Sequence, residues 1–121
     1  MGKLNMKHTN QKNIKLISEL MSFCYYYGAT NINIDVDHKD NKVEINLKAH
    51  IKNMPEEVLI TVKEMLSSPR SREIEEYYWN LSGGDDTDCE LVLVGMMIDS
   101  AKVEYDNESK ILKFNLIRKL K

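Results

Sequence analysis

The chain has 121 residues, 42% of them hydrophobic, and a formal net charge of -2. That size suits one domain, residues 1–121, able to bury a core without disulfide or metal staples. Acids and bases are interspersed rather than blocked, which argues against a nucleic-acid surface built on a basic stripe. Only 1–15 and 118–121 are locally basic, and solvated tails account for such ends. No apolar stretch reaches the ~20 residues of a bilayer span. The start Met1-Gly2-Lys3-Leu4-Asn5-Met6 lacks the Ser or Thr of a myristoylation signal. Neither a nucleic acid nor a membrane is expected as partner.

Residues 1–9 are expected as a flexible N-terminal tail. From Asn10 to Tyr27 the residues Ile14, Ile17, Met21 and Cys24 keep helical spacing, widened by Leu16, Leu20, Phe23 and Tyr27, and Gly28 closes the helix. Ile32, Ile34 and Val36 then alternate with polar residues, as do Val43, Ile45 and Leu47, across the loop His38 to Lys42. This pattern predicts a hairpin with one buried face. Pro55, Glu56 and Glu57 suit the start of a second helix, with Val58, Leu59, Val62, Met65 and Leu66 inward, up to Pro69.

A third helix is expected from about Ser71 to Leu81, with Ile74, Tyr77, Tyr78 and Leu81 inward; Gly83 and Gly84 break it. A fourth starts near Asp86 or Thr87 and is almost wholly apolar through Ile98, so it should be buried. Val103 and Tyr105 pair with Leu112, Phe114 and Leu116 across the turn-forming run Asp106 to Ser109. The elements pack as an α+β two-layer sandwich, a mixed or antiparallel sheet of about four or more strands covered on one face by helices.

Few residues carry chemistry. Cys24 and Cys89 lie in predicted helices without CxxC spacing, which suits a reducing cytoplasm. Asp35, Asp37 and Asp40 lack the glycine and closing glutamate of a calcium loop, and read as strand edge and turn. His8, His38 and His50 are dispersed, so no metal is assigned. Ser82-Gly83-Gly84 opens a helix as a phosphate loop would, but Asp85, Asp86, Asp88 and Glu90 already bring negative charge there, with no Lys or Arg to offset it. Acids at a helix start also serve as caps and dipole partners. Tyr25, Tyr26 and Tyr27 cover most of a helical turn, so at least one points outward, and Tyr77, Tyr78 and Trp79 form a second aromatic cluster. Tyr25, Tyr26, Tyr77, Tyr78 and Trp79 are therefore candidate interface residues.

Element order and several local strings resemble the histidine-kinase-like ATPase superfamily, nearest to the anti-sigma-factor serine kinases. The segment Ile17-Ser18-Glu19-Leu20-Met21-Ser22-Phe23-Cys24, closing at Gly28, is similar to that family's glutamate- and asparagine-bearing helix. The tail from Val92 to Glu104 and the strand ending Phe114-Asn115-Leu116 resemble its closing helix and hairpin. By that resemblance Glu19 takes the place of the family's glutamate and Phe23 that of its magnesium-holding asparagine. Ala49, Ile51 and Asn53 fall where an Asp-x-Gly-x-Gly motif would read adenine, and Asp88 and Glu90 fall at the second Gly-x-Gly.

Every departure lies where nucleotide would bind. Phenylalanine cannot coordinate magnesium, alanine cannot accept a bond from an adenine amine, and isoleucine adds bulk where backbone should approach ligand. The resemblance therefore implies a non-catalytic regulatory or protein-binding domain with no cofactor. Two alternatives stay open: a metal- or nucleotide-dependent sensor or kinase using Glu19, Asp85, Asp86 and Asp88 through a metal ion, and a small homodimeric module joined through its aromatic helix face.

Overall fold

The computed structural model of the chain describes residues 2–67, 69–71, 73 and 91–120, with side chains from Asn10 onward apart from 92 and 93. In chain order the elements are α1 (Gly2–Tyr26), β1 (Asn31–Lys39), β2 (Lys42–His50), α2 (Glu56–Leu66), α3 (Leu91–Met96), β3 (Ser100–Asp106) and β4 (Ile111–Lys119). The four strands form one antiparallel sheet in the order β1-β2-β4-β3, which makes the class α+β. The third helix expected over 71–81, and the start of the fourth near 86–87, lie outside the described residues, although Glu73 is helical.

The two central strands set the core. In β2 the residues Val43, Ile45, Leu47 and Ala49 point to one side, and their register partners in β4 are Arg118, Leu116, Phe114 and Leu112. The seven apolar members of these four pairs are all at most 1% exposed, beneath Leu16, Leu20, Phe23 and Cys24 of α1. Burying each large aliphatic side chain contributes roughly 1.5–3 kcal/mol. The opposite face is polar. There Asn115 Nδ2 donates to Asn46 Oδ1 at 2.6 Å and to Glu44 Oε2 at 2.8 Å, tying β4 to β2 across the solvent side.

The turns follow their residues. Lys39 pairs directly with Lys42, and the two residues between, Asp40 and Asn41, have φ of 53° and 59°. That is the mirror-image turn whose twist suits a hairpin and which Asp and Asn tolerate best. The turn is thus tighter than the five-residue loop expected from sequence. Gly28, at φ 83°, ends α1 through the bond Gly28 N–H to Tyr25 O. Between β3 and β4, Asp106 Oδ1 accepts from Glu108 N–H at 2.9 Å. Hydrogen bonds from Glu108 and Ser109 hold the Asp106 carboxyl below its usual range.

Several boundaries differ from expectation. α1 begins at Gly2, so the backbone of 2–9, expected as a tail, is helical. Pro55 stands just outside α2 as its cap residue and leaves the first N–H positions to Glu56 and Glu57, whose charge suits a helix start. α3 stops at Met96, yet Met97 and Ile98 stay 4% and 2% exposed, so the apolar run outlasts the helix that sequence periodicity extended to Ile98. Arg118 corrects a further expectation. Its alternation with Leu112, Phe114 and Leu116 turns it inward, where it is 3% exposed and donates to Met97 O at 2.9 Å, satisfying a carbonyl past the end of α3. Lys12, in the other basic stretch expected to be solvated, is 5% exposed.

The helices meet closely at one point. A Cβ added at Gly95 of α3 would run into the Met65 carbonyl oxygen and come within 3.2 Å of Leu66 Cα in α2. Both obstacles are backbone, so neither can swing aside. Gly95→Ala is expected to lower stability by about 1–3 kcal/mol in urea denaturation. An unchanged midpoint would show that α2 and α3 are not in close contact there.

Candidate functional site

A groove of about 720 Å³ lies between α1 and α2, with Leu91 of α3 also in its lining. Its volume is within the range of small-molecule pockets. From α1 and the turn just after it come Ser22, Phe23, Tyr26 and Tyr27, and from α2 Val58, Thr61, Val62 and Met65, with Glu57 beside them. Helical spacing explains both walls: positions 58, 61, 62 and 65 recur on one face of α2, and 22, 23 and 26 on one face of α1, with 27 just past its end. The Thr61 hydroxyl is turned back to Glu57 O at 2.9 Å, so its donor is spent within the helix.

Phe23 anchors the α1 wall. Its ring is 5.0 Å from that of Tyr27 and meets Phe114 of β4 edge-on at 6.1 Å and 85°. These are favourable aromatic separations. Phe23 is 7% exposed and thus belongs to the core and to the groove at once. Tyr26 projects from the same rim at 81% exposed, its ring 5.0 Å from that of Tyr27. Tyr25 is 61% exposed on the neighbouring face of the helix.

The other residues singled out by sequence fall into separate places. Glu19 is 3% exposed and paired with Lys15 at 3.1 Å, one helical turn earlier. Ala49 and Ile51 are closed into the core at 1% and 0% exposed, and Asn53 is exposed in the loop before α2. Ile51 is further fixed from outside: its carbonyl accepts from Tyr105 Oη at 2.6 Å. Burial, and then the neighbouring Asp106, push the Tyr105 phenol above its usual range, so it stays a donor at neutral pH. Asp85, Asp86, Asp88, Glu90, Tyr77, Tyr78, Trp79 and Cys89 lie outside the described residues. Cys24 is buried in the α1 core face.

Among the described residues, no three His, Cys, Asp or Glu side chains converge on a point that could hold a metal ion. Among those residues, too, no helix is long and apolar enough to cross a membrane. The groove as a whole escaped the sequence. The inward stripe of α2 and the placing of Phe23 on α1 were readable separately, but nothing in either segment says that the two faces stop short of closing on each other. No protein-family model, curated protein or solved structure matches the chain.

Phe23 links groove and core, so its removal tests both. Phe23→Ala is expected to cost about 3–5 kcal/mol of unfolding free energy, the range for deleting a buried aromatic ring. Loss of less than ~1 kcal/mol in chemical denaturation would place the ring outside the core.

Proposed function

We propose that this chain is a non-catalytic regulatory domain that binds another protein through the groove between α1 and α2 and its tyrosine rim. On this reading it is a degenerate relative of the histidine-kinase-like ATPases that keeps the scaffold and has lost the nucleotide chemistry. The observation that carries it is Phe23. Where the resemblance calls for a magnesium-holding asparagine, an aromatic ring is packed between Tyr27 and Phe114 and supplies the groove with an apolar wall.

Three further features support the reading. Ala49 and Ile51, in the places of the adenine-reading motif, are core residues and offer no side-chain polar atom to a base. Glu19 is engaged with Lys15 rather than directed at an open site. Tyr26, almost wholly exposed beside an apolar groove, has the composition of an interface anchor, since tyrosine carries large apolar area with a hydrogen-bonding tip. The exposure of Tyr25 and Tyr26 also favours the second reading, a module that contacts its own kind through this helix.

A thermal-shift titration with ATP and ADP, with and without magnesium, tests the proposal, because a ligand bound only by the folded chain raises the melting temperature. The expected result is no shift with either nucleotide. A saturable, magnesium-dependent rise would overturn it and restore the sensor or kinase reading.

A further inference from the structure

β1 is an edge of the sheet, and among the described residues no segment pairs with its outer side. The direction of its backbone groups follows from the ladder. Ile51 N–H to Lys110 O at 2.9 Å and Leu120 N–H to Asn41 O at 2.8 Å extend the β2–β4 pairing, so odd-numbered residues of β2 face β4. Even-numbered residues of β2 therefore serve β1, and the register, Asp35 opposite Asn46, matches them to odd-numbered residues there. The free edge carries the N–H and C=O groups of Ile32, Ile34, Val36 and His38.

Open edges are normally guarded by shortness, proline, a bulge or charged side chains, lysine above all, and the charges of β1 besides its lysine are Asp35 and Asp37 on the polar face. β1 has nine residues, no proline, and its one lysine stands at the last position, Lys39. The opposite edge, β3, has seven residues with Lys102 near the middle. The inward side chains of β1 are also incompletely covered: Ile32 and Ile34 are half-buried and Val36 is 37% exposed.

We propose that a second copy of this chain covers this edge, β1 against β1 antiparallel, with the two-fold axis through Ile34. In that register Ile34 meets Ile34 of the second copy and Ile32 meets Val36, all by hydrogen-bonded pairs, because these are the residues whose backbone groups face outward. On the polar face Asn33 meets Asp35 and Asn31 meets Asp37, so each carboxylate is opposite an amide that can donate to it. Other registers fail on charge or on donors. Centring on Asp35 sets that carboxylate against itself, and centring on Val36 sets Asp35 against Asp37 twice. Centring on Asn33 leaves only Ile32 and Ile34 in complete hydrogen-bonded pairs, because Val36 would then face Thr30, whose N–H is already given to His50 O at 3.1 Å; the Ile34 register calls on that N–H only at its outermost pair, Thr30 with His38. The result is a continuous eight-stranded sheet, and it does not depend on what occupies the groove between α1 and α2.

Sedimentation equilibrium of the full chain tests this. The wild type is expected to approach twice the 14.1 kDa chain mass as concentration rises. Asn33→Asp, a change at an exposed position, sets two carboxylates opposite each other at two places and should weaken association at least about tenfold. Adding Asp35→Asn to that variant restores an amide opposite each acid and should recover the dimer, while far-UV circular dichroism stays that of the wild type throughout. A wild type that is monomeric at every concentration overturns the proposal. So does a dimer that Asn33→Asp leaves unchanged, as contact through Tyr25 and Tyr26 would, or a double variant that fails to recover.

Discussion

The pairing of β2 with β4 is the constraint on which the rest of the structure depends. It brings two alternating strands into register so that Ile45, Leu47 and Ala49 lie beside Leu116, Phe114 and Leu112, and all six are sealed from water on one face. A slip of one residue would turn that whole set to solvent and the Asn46–Asn115–Glu44 hydrogen bonds into the core, so the register is strongly specified. The helices have then only one face to cover. Arg118, the single charged residue on the inward row of β4, fits because it reaches Met97 O beyond α3.

The ends of the layers are held by polar contacts rather than by the apolar core. Asp99 Oδ2 accepts from Arg70 at 2.7 Å and from Lys119 N–H at 2.6 Å, and Arg70 also donates to Lys119 O. Ser71 N–H donates to Met96 O at 2.9 Å. The chain leaving α2 is thereby fastened to α3 and to the end of β4. Tyr105 does the same on the far side by donating to Ile51 O. With α2 anchored at both ends and α1 seated on the sheet, the groove between them is a product of spacing. On the proposed reading Phe23 then decides what that groove can accept, since its ring is fixed by Tyr27 and Phe114 and leaves no ligand for a cation at that point.

Much of this could be read from residues alone, for identifiable reasons. Strict alternation in 32–36, 43–47 and 112–116 is a local signal, and all of it became sheet with the expected inward residues. The core face of α2 followed from helical spacing, but that of α1 only in part: Leu16, Leu20, Phe23 and Cys24 are buried, whereas Ile14, expected on the inner face, is 65% exposed because the buried stripe runs one residue round the helix from it. What escaped depends on contacts between distant segments. Arg118 and Lys12 looked like parts of solvated ends, because composition counts charge without asking which way a side chain points. The groove needed the distance between two helices, which no periodicity contains. The open side of β1 needed the strand order, and only β2 against β4, rather than β1 beside them, leaves it exposed.

On the proposed reading, the groove between α1 and α2 is an apolar contact surface closed to nucleotide by Phe23. The most direct measurement is a methyl-NMR titration following Val58, Val62 and Met65, which line its α2 wall, as Mg-ATP is added. These resonances are expected to stay in place to saturating nucleotide. A saturable shift confined to the groove methyls would contradict that reading.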